Sequence, residues 1–282
     1  MSNRVAVVTD STAYLSPGLA ARHGVTEVPL HVVLRDRSGQ EGIEVSPADV
    51  AAALAERHVR VSTSRPTPAE FVEHYRSLGA SCVVSVHLSA ELSGTYGAAV
   101  LAAAEVSDEG IEVRVLDSRS IAMGLGFAVV AAARAAADGG DVEAVEEAAR
   151  KAAARTDVLF YVDTLEHLRR GGRIGAAAAL FGAALAVKPL LHVQDGQIAA
   201  LEKVRTTSKA LARLEALVVE RSGEDEVDVA VHHLAASDGA EAMAERLRAR
   251  LPRLADLHVS EVGAVVGAHV GPGLLGVVVS RR

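Results

Sequence analysis

Aromatic side chains are scarce in this chain: four phenylalanines, four tyrosines and no tryptophan make up 3% of its 282 residues. Half of the residues are nonetheless hydrophobic, so Ala, Val and Leu must fill the core and helices must approach one another closely. Cysteine is nearly absent. The single Cys82 excludes an internal disulfide, and its place at the start of an apolar run is that of a buried thiol in a reducing compartment. Basic side chains are outnumbered, 29 against 36 acidic ones, for a net charge of −7. That balance argues against nucleic acid as a partner and against a general grip on anionic membrane. No apolar run reaches a membrane span, and Met1-Ser2-Asn3-Arg4 leads into a strand-like segment without the apolar core of a secretory signal. We therefore expect a cytoplasmic protein.

Several enzyme signatures are missing too. There is no G-x-S-x-G elbow, no Walker lysine and no H-E-x-x-H. Gly271-Pro272-Gly273-Leu274-Leu275-Gly276 spells the dinucleotide pattern G-x-G-x-x-G, but a strand-like run follows it where a helix is required, so no nucleotide is expected there. His232 and His233 are adjacent on a predicted strand and point to opposite faces, which gives metal catalysis no support. The glycine-rich run 263–276 reads as a loop that carries His269.

What the chain does have is a series of β-rich runs that end in hydroxyls. Val83 to Leu88 runs into Ser89-Ala90-Glu91-Leu92-Ser93-Gly94-Thr95, followed by a helical stretch from Ala98 to Val106. Val5 to Val8 ends in Thr9-Asp10-Ser11-Thr12, Val113 to Leu116 in Asp117-Ser118, and Val59 to Val61 in Ser62-Thr63-Ser64-Arg65-Pro66. One such hydroxyl is ordinarily a helix cap. If the strands are parallel neighbours, however, their polar ends converge on one rim, where open α/β sheets collect ligands and where a helix N-terminus favours an anion.

Alternation of strands with helices 98–106 and 121–137 implies an N-terminal doubly wound parallel sheet, with Val28 to Leu34 as a further strand and 35–42 as a polar turn region. Ser16-Pro17, Ser46-Pro47 and Thr67-Pro68-Ala69-Glu70 open helices with a capping hydroxyl and a proline at the first position. After the surface helix 141–154 the pattern changes, and we place a domain boundary there, with a parallel α/β domain over 1–155 and a mixed α+β domain over 156–282. Asp195-Gly196 reads as the turn of a hairpin, and strands at 158–162, 227–231, 257–262 and 274–280 suggest a mixed or antiparallel sheet with helices. Between these lies Leu165-Glu166-His167-Leu168-Arg169-Arg170-Gly171-Gly172-Arg173-Ile174, either a solvated charge cluster or an arginine patch for a carboxylate, phosphate or partner. The stretch 176–187 after it is apolar on nearly every side, as in a helix that is buried or lines an apolar cavity.

Taken in order, Thr9-Asp10-Ser11-Thr12-Ala13, Thr63-Ser64-Arg65-Pro66, Leu92-Ser93-Gly94-Thr95-Tyr96, Asp117-Ser118, Arg169-Arg170-Gly171-Gly172-Arg173-Ile174, Lys188-Pro189-Leu190-Leu191 and Gly267-Ala268-His269-Val270-Gly271-Pro272-Gly273 resemble the DegV family of fatty-acid-binding proteins, which includes the B subunit of bacterial fatty acid kinase. Tyr14 stands where that family more often has an acidic residue, and Arg65 where glutamine is common. The resemblance implies a two-domain α/β fold, parallel sheet first and mixed sheet second, that encloses one long-chain fatty acid and has no other cofactor. It implies that Thr63, Ser64, Ser93, Gly94 and His269 hold the carboxylate, that Leu180, Phe181 and Leu185 line the acyl tunnel, and that Arg170 and Arg173 face a separate ATP-binding kinase subunit. That kinase would phosphorylate the carboxylate to an acyl phosphate for phospholipid synthesis, and transient membrane contact is compatible with such a role. By this resemblance the chain is a lipid-binding subunit, not an enzyme. Two alternatives stay open: an acyl hydrolase or transferase with Ser93 as nucleophile, His269 as base and Asp117 as third member, and a lipid sensor with another partner.

Overall fold

The computed structural model describes residues 5–35, 37–56, 59–180 and 188–282. Along the chain the strands are β1 (Ala6–Asp10), β2 (Val25–Val28), β3 (His31–Leu34), β4 (Arg37–Gln40), β5 (Val61–Ser64), β6 (Cys82–His87), β7 (Glu112–Asp117), β8 (Thr156–Tyr161), β9 (Lys188–Gln194), β10 (Gln197–Val204), β11 (Val227–His233), β12 (Leu254–Glu261) and β13 (Leu275–Arg281). The α-helices are α1 (Pro17–His23), α2 (Pro47–Ala55), α3 (Pro68–Ser77), α4 (Thr95–Ser107), α5 (Met123–Ala137), α6 (Val142–Ala154), α7 (Glu166–Arg170), α8 (Thr207–Ser222), α9 (Ser237–Arg250) and α10 (Ala264–Val270). No helix among the described residues is long and apolar enough to cross a membrane.

Two compact units result, one from residues up to His31 with Ser64–Ala154, the other from Val32–Thr63 with Arg155–Arg282. One junction between the units falls after Ala154, and the first unit is not contiguous in sequence. Val32–Thr63 goes with the C-terminal half because β4, β3 and β5 form a sheet of their own, and because α2 packs on α10, where Val50 lies under Gly267.

The first unit holds a four-stranded sheet in the order β2-β1-β6-β7, parallel throughout. Its carboxyl ends therefore lie on one rim. Small side chains build the packing, as the composition requires: Ala98, Ala99 and Ala102 of α4 meet Val8, Val83, Phe71 and Tyr75 in one buried cluster. Sequence-local rules set the helix starts. The Ser16 hydroxyl accepts from the Leu19 amide at 3.3 Å, and Thr67 and Glu70 close a reciprocal capping box ahead of α3, a device worth about 1 kcal/mol per cap.

The second unit carries a six-stranded mixed sheet in the order β10-β9-β8-β13-β11-β12, antiparallel except where β12 lies parallel to β11. Asp195 and Gly196 adopt φ of 52° and 82°, the left-handed pair that a two-residue hairpin between β9 and β10 needs. Leu214, Leu217 and Val218 of α8 and Met243, Ala244 and Leu247 of α9 form one core with Leu159, Val229, Val231, Val277 and Val279 of the sheet. The α/β class with a parallel and a mixed sheet is thus as expected.

Three local expectations are corrected. The single strand expected over 28–34 is two, β2 and β3, in different sheets; Pro29 lies between them and has no N–H to continue a ladder. The turn region 35–42 contains β4. The loop expected over 263–276 contains α10, closed by Gly271 at φ 76°. Of the helix expected over 176–187, residues Gly175–Leu180 form a 3-10 helix and 181–187 lie outside the described residues.

Candidate functional site

In the first unit the loop between β6 and α4 presents the hydroxyls. Its backbone is fixed at three consecutive amides. Leu88 N–H donates to Asp10 Oδ2 at 3.0 Å, Ser89 N–H to the Ser120 carbonyl at 2.9 Å and Ala90 N–H to Asp117 Oδ1 at 3.2 Å. A helical turn then carries Leu92 and Ser93, whose amides both donate to the Ser89 carbonyl. Ser93 is half-buried, and its Oγ lies 2.9 Å from Thr95 Oγ1 and accepts weakly from the Thr95 amide. The residue at the N-cap of α4 is Gly94, so no side chain caps the helix. A Cβ at Gly94 would run into the Arg65 guanidinium, which packs across the exposed backbone there. The rim thus offers the half-buried Ser93 hydroxyl and a helix N-terminus whose N-cap residue has no side chain, chemistry that suits an anionic head group.

Beneath this loop lies a constellation that sequence reading missed. Ser85 and His87 stand two residues apart on β6 and so share a face; Asp10 comes level with His87 because β1 and β6 pair Val8 with Ser85. His87 Nδ1 is 3.0 Å from Asp10 Oδ2 and its Nε2 is 2.7 Å from Ser85 Oγ. The distances are those of a Ser-His-Asp triad. The surroundings are not: Ser85, His87, Asp10 and Tyr75 are all fully buried, Phe71 covers the imidazole edge-on at 5.0 Å, and the Tyr75 hydroxyl donates to Ser85 Oγ at 2.9 Å. Burial also pushes the Tyr75 phenol well above its ordinary range, so it stays a donor. Asp10 accepts in addition from the Thr12 amide at 3.1 Å and the Thr12 hydroxyl at 2.5 Å. Every polar atom in this cluster is spoken for.

In the second unit Thr63 and His269 meet. Along β5 the side chains alternate, Val61 and Thr63 half-buried, Ser62 and Ser64 exposed, so Ser64 is not on the face that reaches His269. Thr63 Oγ1 lies 2.8 Å from His269 Nε2. His269 is in the last turn of α10, and its Nδ1 is buried with no hydrogen-bond partner among the described residues. Gly171 explains this: a Cβ there would collide with Nδ1, so the ring is pressed against the Gly171 backbone. Desolvation, reinforced by the charge of Arg173, lowers the His269 pKa to about 4. The ring is neutral at pH 7 and carries one N–H. An N–H at Nδ1 would face Gly171 without an acceptor, whereas a lone pair there faces a Cα hydrogen, so the proton belongs on Nε2 and is donated to Thr63. Thr63 then keeps its own O–H for a further acceptor. Glu41 steadies the far end of α10: its Oε1 accepts from the Val265 amide at 2.7 Å while the side chain is buried. Nothing in its local sequence marks that role.

The arginine segment divides. Arg170 and Arg169 are exposed at the end of α7 and both pair with Glu166, whose pKa the two guanidiniums lower to about 2. Arg173 is half-buried and donates to the Gly171 carbonyl at 2.6 Å. It therefore belongs with the His269 surroundings more than with the exposed pair. Leu180 ends the 3-10 helix, and Phe181 and Leu185 lie outside the described residues. Ser93, His269 and Asp117 each make their hydrogen bonds elsewhere, with Thr95, with Thr63 and with the Ala90 and Arg119 amides.

The profile described as "Uncharacterised protein, DegV family" matches residues 4–282. Among curated relatives, a DegV domain-containing protein of Streptomyces coelicolor is 61% identical over 285 residues, the whole of both chains. Among solved structures, a DegV family protein from Thermus thermophilus, described by its fatty acid binding, superposes with a TM-score of 0.94 at 32% identity, covering 99% of this chain and 100% of that one. DegV from Bacillus subtilis, described as a fatty acid binding protein, gives 0.91 at 34% identity over 99% of each.

Proposed function

We propose, on the premise that this chain belongs to the DegV family, that it binds one long-chain fatty acid and presents the carboxylate for chemistry done by another protein. The Thr63–His269 pair carries this reading. A neutral imidazole that holds a hydroxyl by its oxygen leaves the hydroxyl proton for a carboxylate, and Ser93 with the backbone at Gly94 supplies the second set of donors at a helix N-terminus. Ser64, on the opposite face of β5 from Thr63, is the weakest member of the set. None of these groups is a cation locked onto the carboxylate as a buried ion pair, so the head group keeps its nucleophilic oxygens. Affinity then comes from the tail: about fifteen methylenes at roughly 0.8 kcal/mol each supply on the order of 12 kcal/mol before the ordering costs. Leu180, Phe181 and Leu185 are the proposed tail contacts.

The partner in this reading is a cytoplasmic ATP-dependent kinase that forms an acyl phosphate for phospholipid synthesis, and Arg170 and Arg173 are its docking residues. Arg170, exposed and held out by Glu166, suits a rim contact, where charge acts mainly on association; Arg173, bonded to the Gly171 backbone, is the less separable of the two from ligand binding.

Native mass spectrometry of the purified chain, followed by denaturation and identification of what is released, tests the core of this. One fatty acid per chain is expected, with retention weakened in Ser93→Ala. Protein that is empty and does not take up added palmitate contradicts it. Reversal of charge at Arg170 is expected to leave palmitate affinity intact while weakening turnover with the kinase.

A further inference from the structure

The buried chain Tyr75, Ser85, His87, Asp10 touches no ligand in the reading above, yet it ends on the loop that bears Ser93. Its hydrogen bonds run one way. Tyr75 O–H donates to Ser85, which leaves the Ser85 proton for His87 Nε2 at 2.7 Å; His87 Nδ1–H then donates to Asp10 at 3.0 Å. Asp10 takes three more donors, the Thr12 amide and hydroxyl and the Leu88 amide. Four donors thus converge on one buried carboxyl group, which ends the chain. Burying so polar a cluster is costly, and apolar side chains of similar volume would fill the same space. What the carboxylate adds is a fixed direction for Leu88 N–H. From Leu88 the next two amides are caught by Ser120 and Asp117, and the turn on the Ser89 carbonyl delivers Ser93.

We propose that Asp10 and His87 are positioning residues for the head-group site: through the Leu88 amide they set the Ser89–Ser93 turn and aim the Ser93 hydroxyl before a ligand arrives. Preorganised donors spare the ordering cost on binding, and the benefit falls on the carboxylate, the group that the Ser93 hydroxyl would bond. This inference rests on Ser93 being a carboxylate ligand.

The test compares binding of palmitate and hexadecan-1-ol by the delipidated full-length chain and its variants, alongside amide hydrogen exchange. Wild type is expected to favour the acid, and Ser93→Ala to cut that preference about tenfold, as loss of one hydrogen bond to a charged group does. His87→Phe, which breaks the relay but keeps an apolar ring in the core, is expected to cut the preference to a similar extent with alcohol binding unchanged. His87→Gln, whose amide can donate to Asp10 and accept from Ser85, is expected to restore it. Tyr75→Phe removes only the outermost donor and moves the preference in the same direction by a smaller factor, which keeps the test open should His87→Phe not fold. Without lipid, exchange at Leu88, Ser89 and Ser93 is expected to quicken in the relay variants while the rest of the parallel sheet keeps its protection. Equal losses for acid and alcohol, or an unchanged preference where Ser93→Ala lowers it, overturn the proposal; so does unchanged exchange in the loop. A wild type that does not distinguish acid from alcohol overturns the head-group reading instead, and the exchange measurement still decides whether the relay sets the loop.

Discussion

Two polar clusters in this molecule use the same kinds of side chain to opposite effect. In the parallel unit, Ser85, His87 and Asp10 stand at triad distances, but each donor has an acceptor and the whole is sealed from solvent. In the mixed unit, Thr63 and His269 form a shorter chain with an open end: His269 Nδ1 is buried without a partner among the described residues, and with the ring proton on Nε2 the Thr63 hydroxyl, 2.8 Å away, keeps its own proton for a ligand. Geometry alone would nominate the first cluster as the chemical centre. Saturation of hydrogen-bonding capacity nominates the second, because a group that can bind a ligand must have something left to bind it with.

The closed cluster is therefore expected to answer to stability and the open one to ligand. Asp10→Ala leaves four donors without their acceptor in the core, and we expect a loss of about 3 kcal/mol or more in denaturant unfolding. Thr63→Val, at a half-buried position, should cost less than about 1 kcal/mol and fall instead on palmitate affinity. Equal stability losses would erase the contrast. Gly171→Ala probes the open end directly: the added methyl meets His269 Nδ1, and we expect about 1–3 kcal/mol of destabilisation from overpacking, with a displaced His269 ring visible in its imidazole NMR signals.

A pH series separates the units further. Desolvation holds both His269 and His232 at about 4, below the ordinary value of about 6.5. The unfolded chain takes up protons on these rings as pH falls through about 6.5, and the folded unit does not until about 4. Stability therefore drops across that window, by up to about 1.4 kcal/mol per pH unit for each ring, and neither contributes above pH 7. His269→Gln should remove its share of that slope in denaturation midpoints taken from pH 7 to 4.5. The smallest effect is expected at Glu166→Gln, which removes the ion pairs that Glu166 makes with Arg169 and Arg170 and should change stability by less than about 0.5 kcal/mol.

How much of this was legible in the sequence follows from the range of the interactions. Caps at Ser16, Ser46 and Thr67 and the Asp195-Gly196 turn depend on neighbours within a few residues, and all were readable. The exchange of Val32–Thr63 into the C-terminal half was not, since its ties, such as Glu41 to Val265 across 224 residues, leave no mark on either local segment. The glycines of 263–276 suggested a loop because intrinsic propensity disfavours helix there, but Gly267 gives close packing under Leu234, and tertiary contact outweighs propensity. Asp10 and His87 both lay in segments the sequence singled out. Their partnership, across 77 residues, depends on the register of two parallel strands, which alternation of side chains does not reveal.

The most direct measurement is carbon NMR of palmitate labelled at its carboxyl carbon, bound to the full-length chain. We expect one bound carboxyl resonance, shifted from that of free palmitate, ionised at neutral pH, and moved by Ser93→Ala and by Thr63→Val while a label at the methyl end stays where it was. A bound carboxyl signal indifferent to both substitutions would contradict a head-group site made of these hydroxyls.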